Sequence, residues 1–370
     1  MKILHCADLH LDSPMRANLD VARSKERRLE LLDTFSRMVS YAKREGVNAI
    51  LIAGDLFDSS NVSRTAMNAF LRQIDSHADI DFYYLRGNHD ALCFPVLEGL
   101  PKNLKLFDDE WTEYVLAEND SMRIVLSGVE FNGINESTIY DSLSLKADDF
   151  NILMLHGQTT EHNMGDKTEY INVRRLNNRG VDYLALGHVH SYAREEIDNR
   201  GIYCFPGCLE GRGFDECGPH GFVLVDINEE TGEWHDCFVP FAKRSLYEVY
   251  VDVSGCMSSE EMSERTKMVL EDCDYSQDSL IKVILTGKLD VNCEKNTDYI
   301  LHSISNYYYV KLCDNTKMEV DFRMYAFDES LKGEFIRNVL ASDFTDEEKG
   351  EIIHYGLMAL NGEDLLNETY

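Results

Sequence analysis

What most limits how this chain can fold is a series of short apolar runs, each closed by Gly, Asp, His or Pro. They are "KILHCA" (2–7), "NAILIAG" (48–54), "FYYLRG" (82–87), "RIVLSGV" (123–129), "NILMLHG" (151–157), "DYLALGH" (182–188), "GIYCFPG" (201–207) and "GFVLVDI" (221–227). Runs this short, bounded by turn residues, read as strands buried on both faces. Between the first ones, Leu29, Leu32, Phe35, Val39 and Ala42 recur at helical spacing up to Gly46, and Met67, Phe70 and Ile74 mark a second helix. Strands alternating with helices, then several strands in close succession, predict a mixed α/β sandwich.

The pattern changes near Pro240. "SLYEVYVDV" (245–253) alternates like a half-buried strand, "SLIKVILTG" (279–287) and "NYYYVKLC" (306–313) follow, and helical stretches fall between them at 259–271 and 297–305. This reads as a compact α/β unit of its own. After Asp328 the chain turns helical at 330–341 and 345–360, where Thr345 and Glu348 have the spacing of a capping box.

Length, charge and cysteine usage narrow the function classes. The 370 residues suffice for one large core and a smaller second domain. The formal charge of −30 argues against holding nucleic acid through a broad basic surface. Local clusters remain at "RSKERR" (23–28), "KRE" (43–45) and "VRRLNNRG" (173–180), the last being the best placed to border a cleft. The ten cysteines include no CxxC pair and read as scattered thiols. The N-terminal run is too short and too polar for a signal peptide, and no stretch is apolar enough to span a bilayer. A cytoplasmic protein without membrane contact is expected.

The polar exceptions sit at the ends of the strands. Asp8 and His10 follow the first, Asp55 and Asp58 the second, Asn88 and His89 the third; His156, and then His188 with His190, close two later ones. Each alone has a plain structural role, since Asp, Asn and Gly are ordinary turn residues. If the strands are neighbours running the same way, the whole set converges on one edge of the sheet, where α/β sheets bind ligands. Mixed oxygen and imidazole donors suit Mn, Fe, Zn or Ni better than Ca or Mg. There are more donors than one ion needs, and two ions sharing a carboxylate would form a clamp for in-line displacement at phosphorus. Asp90 reads as a turn stabiliser.

The ordered motifs "DLH", "GDLFD", "GNHD", "HG" and "GHVH" resemble those of the calcineurin-like metallophosphoesterases, over about residues 1 to 240. Within that superfamily, "HCADLHLDSP" and "AGDLFDSSNVS" resemble the SbcD-type exonuclease subunit family of DNA double-strand-break repair. The resemblance implies an α/β (α+β) four-layer sandwich of mixed β-sheets flanked by helices over 1–242. It further implies a small α/β capping domain over 243–328 and a helical segment, 329–370, that docks a partner. Under it, Asp8, His10 and His190 bind one metal; Asn88, His156 and His188 bind the other; Asp55 bridges both. His89 is not a ligand but a catalytic group: it stabilises the transition state or protonates the leaving oxygen while a metal-bridged hydroxide attacks phosphorus in line. Asp58 is expected to hydrogen-bond His89 and orient it.

The implied cofactors are two divalent ions, Mn2+ first, with Fe, Zn or Ni as alternatives. The implied partners are DNA and an SMC-like ATPase subunit of the SbcC type, with a homodimer allowed. Two other readings stay open. A phosphoesterase for a non-DNA substrate (a nucleotide, cyclic nucleotide or phosphoprotein) is favoured by the acidic charge. A scaffold subunit with little catalysis is disfavoured, because the expected polar positions are all intact.

Overall fold

The computed structural model describes residues 1–15, 19–58, 62–90, 99–136, 138–160, 169–290, 293–319 and 327–361. The chain divides into two compact units, one ending at Ser245 and the other beginning at Leu246. The first runs β1 (Lys2–Cys6), α1 (Val21–Arg44), β2 (Ala49–Ala53), α2 (Arg64–Asp75), β3 (Asp81–Leu85), β4 (Leu104–Leu106), β5 (Thr112–Glu118), β6 (Arg123–Gly128), α3 (Ile139–Ser142), β7 (Phe150–His156), β8 (Tyr183–Gly187), β9 (Ala193–Glu196), β10 (Ile202–Phe205), β11 (Gly221–Ile227) and β12 (Trp234–Pro240).

These strands make two six-stranded sheets, ordered β12-β11-β1-β2-β3-β4 and β5-β6-β7-β8-β10-β9. The central strands β1 to β4, and β6, β7, β8 and β10, run parallel, with antiparallel strands at the borders. Side-chain alternation assigns the layers. Ile3, Leu51, Tyr83, Met154 and Tyr183 pack between the sheets. Leu4, Ile52 and Tyr84 face the helix side with Phe35, Met38 and Phe70. On the far side, Leu153, Leu184 and Phe205 pack with Ile139, Tyr140 and Leu176. The result is the expected four-layer sandwich. One helix position differs from expectation: Leu29 is 57% exposed, and Leu31 is buried in its place.

Helix α1 is tied down by charge as well as by apolar packing. Arg27, expected as part of an exposed basic cluster, is buried. It donates to Glu30 Oε2 at 2.7 Å, Glu210 Oε2 at 3.2 Å and the Gly211 carbonyl at 2.8 Å. Arg244 closes on Glu30 Oε1 at 2.7 Å. The network joins α1 to the segment that follows β10.

The second unit holds β13 (Leu246–Asp252), α4 (Ser259–Asp272), β14 (Leu280–Thr286), β15 (Lys288–Asp290), α5 (Thr297–Ser303), β16 (Tyr309–Asp314) and β17 (Lys317–Glu319). Its main sheet is parallel, ordered β13-β14-β16. Met262, Leu270 and Ile300 pack in its core with strand residues such as Val283. The helices Leu331–Leu340 and Asp346–Asn361 belong to this unit rather than standing apart. Thr345 and Glu348 cap reciprocally, Thr345 N donating to Glu348 Oε2 at 2.8 Å and Glu348 N to Thr345 Oγ1 at 3.3 Å. Residues 362–370, the end of the expected docking segment, lie outside the described residues. Among the described residues no helix is long and apolar enough to cross a membrane.

The α1 network makes stability pH-dependent. Burial alone would raise the Glu30 pKa, but hydrogen bonds from Arg244, Arg27 and Lys243 outweigh it and hold it at about 2, below its ordinary 4.5. A carboxylate depressed in this way stabilises the fold above pH 4.5 and loses that contribution as pH falls toward 2. Arg27→Met leaves two buried carboxylates short of a partner and should cost ~3–5 kcal/mol at pH 7. Urea unfolding of the full chain should show that loss, and Glu30→Gln should soften the fall in midpoint between pH 5 and 3. Unchanged midpoints in both variants would show that the network contributes nothing.

Candidate metal centre

The expected polar residues do come together, but not on one sheet edge. Strands β1, β2 and β3 belong to one sheet, β7 and β8 to the other, and their C-terminal ends meet across the sandwich. That meeting needs backbone without side chains. Gly54 has φ +90, and a Cβ there would sit 2.0 Å from His156 Nδ1. A Cβ on Gly87 would sit 2.2 Å from Asp55 Oδ1.

The turns that leave the strands are tightly specified. Asp8, His10, Asp55 and His188 all have positive φ, at 50, 43, 49 and 94. Such backbone is unusual outside glycine and costs of order 1–3 kcal/mol per residue, so the surroundings must enforce it. They do: Asp8 N donates to Gly54 O at 3.1 Å, and His10 N to Asp55 O at 3.0 Å. Asp90 is the hub of the next turn. Its buried carboxylate accepts from Leu56 N and Phe57 N at 2.9 Å and from Gly87 N at 3.2 Å. Burial and the neighbouring Asp55 push its pKa up to about 6.

Asp55 lies at the middle of the cluster, 2% exposed. Its Oδ2 is 3.6 Å from His156 Nε2, 3.9 Å from His10 Nε2 and 4.0 Å from His89 Nε2. Asn88 Oδ1 lies 3.1 Å from His156 Nε2 and 3.4 Å from His188 Nδ1. Asp8 accepts the His188 backbone N–H on both oxygens at 3.0 Å. The donor atoms fall into three overlapping groups within 4.8 Å: Asp8, His10 and His190; His156, Glu169 and His188; Asp8, Asp55 and His156.

This donor set fits divalent cations. His10 Nε2 is buried and has no hydrogen-bond partner. His156 donates from Nδ1 to Ala53 O at 2.9 Å, which leaves the Nε2 lone pair for an ion. Burial opposes a charge on His156, yet Asp55, Asp8 and Glu169 outweigh it and lift its pKa to about 9. The centre therefore calls for positive charge, and overlapping donor groups around a shared carboxylate suit two ions.

One expectation needs correction. The Asp58 carboxylate does not orient His89. It accepts from Arg212 Nη1 at 2.9 Å and lies 3.2 Å from His10 Nδ1. His89, with its side chain 45% exposed, instead directs Nδ1 to the Asp58 backbone carbonyl at 3.1 Å. In the "VRRLNNRG" stretch Arg175 is paired with Asp141 and lies over the Tyr140 ring, while Arg174 and Arg179 are exposed. Three residues at the centre, Glu169, Arg212 and Glu216, carry no signal in the linear spacing. Glu216 accepts from His190 Nδ1 at 2.7 Å from a loop 26 positions away.

Residues 1–192 match the family described as calcineurin-like phosphoesterase, which is more than half of the chain. The chain belongs to that family. Among its relatives, the uncharacterized metallophosphoesterase YhaO of Bacillus subtilis (strain 168) is 31% identical over 255 residues, covering 64% of this chain and 61% of YhaO. The DNA double-strand break repair protein Mre11 of Methanopyrus kandleri is 26% identical over 322 residues, covering 78% of this chain and 69% of that protein. The alignment thus spans about six tenths of YhaO's length. A dimetal phosphatase from Danio rerio is similar with a TM-score of 0.40 at 13% identity, covering 62% of this chain and 93% of that one. Family membership agrees with a donor set suited to divalent cations.

The glycine at position 87 gives a direct test. In Gly87→Ala the new methyl would meet Asp55 at both its carboxylate and, at 2.6 Å, its backbone nitrogen. Asp55 must shift, so the variant should bind metal at least ~10-fold more weakly, as expected when ligand support is disturbed. Equilibrium dialysis against Mn2+ would measure this, and wild-type affinity would show that the turn can relax.

Proposed function

We propose that this protein is a dinuclear-metal phosphodiesterase acting on DNA, a Mn-dependent exonuclease or endonuclease of the SbcD repair type. The observation that carries the reading is Asp55 Oδ2, buried within 4.0 Å of imidazoles from the ends of three different strands, with Asp8 and Asn88 beside it. In this reading Asp8, His10 and His190 hold one ion, Asn88, His156 and His188 the other, and Asp55 both. Two such ions supply a nucleophile near neutral pH and stabilise charge developing at phosphorus. His89 is held at Nδ1 by a backbone carbonyl, which fixes the ring and leaves Nε2 to give a proton to the leaving oxygen. Support for DNA comes from the match to Mre11 over 78% of the chain.

The proposed partner is an SMC-like ATPase of the SbcC type. The helices expected to dock it have already spent part of their apolar faces: Ile336, Val339, Ile353 and Leu357 are buried together. Leu331, 68% exposed, Phe327 and Leu360 remain for a partner. A second reading, a phosphoesterase for a smaller non-DNA ester, is favoured by one feature. A cavity of about 530 Å³ beside Asn88, His156 and Glu169 is lined by Asp108, Asp109 and Glu136, which would repel a polyanion, and by Arg86, whose charge is taken up by Glu130.

A substrate panel with Mn2+ separates the two: single- and double-stranded DNA, cyclic nucleotides and a generic phosphodiester. The nuclease reading expects DNA to be cut fastest, and preference for a cyclic nucleotide would sink it. Asp55→Ala should abolish turnover and metal retention together. His89→Asn should keep two ions per chain while slowing turnover ~10²–10⁴-fold. Metal loss in His89→Asn would make His89 a ligand.

A further inference from the structure

Both imidazoles expected around the first ion are backed by carboxylates, and one guanidinium holds both carboxylates. His190 Nδ1 lies 2.7 Å from Glu216 Oε1. His10 Nδ1 lies 3.2 Å from Asp58 Oδ1. Arg212 Nη1 donates to Asp58 Oδ1 at 2.9 Å, and Arg212 Nη2 to Glu216 Oε1 at 2.8 Å. The Arg212 backbone N–H adds a bond to Glu216 Oε2 at 2.8 Å, and the Cys208 thiol lies 3.6 Å from the same oxygen.

These contacts decide a tautomer. Arg212 Nη2 also lies 3.1 Å from His190 Nδ1, so Nδ1 has both a donor and a carboxylate beside it. An ionised carboxylate only accepts, and contact at 2.7 Å requires a proton on Nδ1. Arg212, through Nη2 and its backbone N–H, holds both Glu216 oxygens in place, so the His190 Nδ1–H keeps its acceptor and Nε2 is left for an ion. His10 Nδ1 lies 3.2 Å from Asp58 Oδ1 without a hydrogen bond, so Asp58 stands beside that ring but does not fix its tautomer. On the other side of the centre the arrangement differs: His156 is oriented by the Ala53 carbonyl, which carries no charge and touches no part of this network.

We propose that Arg212 is a positioning residue: by clamping Glu216 it holds His190 in the tautomer that binds the first of the two ions, it keeps Asp58 beside His10, and it leaves the second ion's ligands unaffected. The proposal rests on the dinuclear reading. It assigns Asp58 to the first ion rather than to His89, and gives a role to Glu216.

The test is Mn2+ binding to the full chain, read by equilibrium dialysis and by electron paramagnetic resonance. Wild type should take up two ions and show an exchange-coupled pair. Arg212→Gln should weaken one of the two sites ~10–100-fold, the usual cost of losing an outer partner of a metal-bound histidine. At limiting Mn2+ it should hold one ion with an uncoupled six-line signal, and at saturating Mn2+ the coupled signal should return. Arg212→Lys keeps the charge without the two-armed fork and should fall between. Glu216→Gln should weaken the same single site. Wild-type binding curves in Arg212→Gln, or equal weakening of both sites, would overturn the proposal. If Arg212→Gln fails to fold, Glu216→Gln and Arg212→Lys decide by the same readout, and loss of fold in all three would overturn it in favour of a structural role. A wild-type chain that binds fewer than two ions would refute the dinuclear reading instead.

Discussion

A buried carboxylate surrounded by imidazoles is the constraint on which the first unit depends. Asp55 cannot be ionised at 2% exposure without compensating positive charge. Its pKa nevertheless lies below the ordinary value: burial opposes ionisation, and His156, His10 and His89 overcome it. Those three imidazoles come from the ends of β7, β1 and β3, which lie in two different sheets. The charge requirement of one side chain and the face-to-face packing of two sheets are thus the same structural fact seen from two ends. Apolar packing between the sheets supplies the stability, and the strand ends supply the chemistry.

The turns show what that arrangement costs locally. Five non-glycine residues at the centre, Asp8, His10, Asp55, Glu169 and His188, take positive φ. Residues in this region persist only when neighbours over-determine them. Here the loops are cross-braced: β1's turn donates to β2's through Asp8 and His10, and Asp90 ties β2's turn to β3's. Ligand geometry is therefore set by backbone hydrogen bonds before any ion arrives, which suits a centre that must hold donor atoms within tenths of an ångström.

The parts of this fold that were legible in the sequence are those governed by short-range rules. β1, β2, β3, β7 and β8 are buried on both faces over most of their length, so apart from Lys2, His5, Asp81, Asn151 and His156 their residues carry no charged or amide side chain and read as apolar runs. The edge strands β5 and β12 were not legible, because half-exposed positions admit charge and blur the pattern. Nor was the division into two sheets, since spacing along the chain does not say which strands pair. Arg27 illustrates the same limit: an Arg in a run of charges looks solvated until a distant Glu210 is brought beside it. Arg212 and Glu216 escaped for that reason, and Asp58 meets His89 through its backbone carbonyl rather than its carboxylate because Arg212, 154 positions away, takes the carboxylate.

The charge at the centre bears on which ester it can accept. Among the described residues, Asp8, Asp55, Asp58, Glu169 and Glu216 bring five carboxylates to it, and Arg212 one fixed positive charge. Two divalent ions would cancel the remaining four negative charges and leave none over. Asp90, lifted to about 6, adds negative charge again near neutral pH. A centre without surplus positive charge discriminates by the charge of its substrate. Under the proposed dinuclear reading it would admit the single negative charge of a phosphodiester more readily than the two of a phosphomonoester, since the second charge would enter against unbalanced carboxylates in a low-dielectric site. The chain's net charge of −30 matters less, because exposed charges beyond about 8 Å are largely screened at physiological ionic strength. The local balance at Asp55, rather than the acidity of the whole surface, is therefore what an incoming ester would meet.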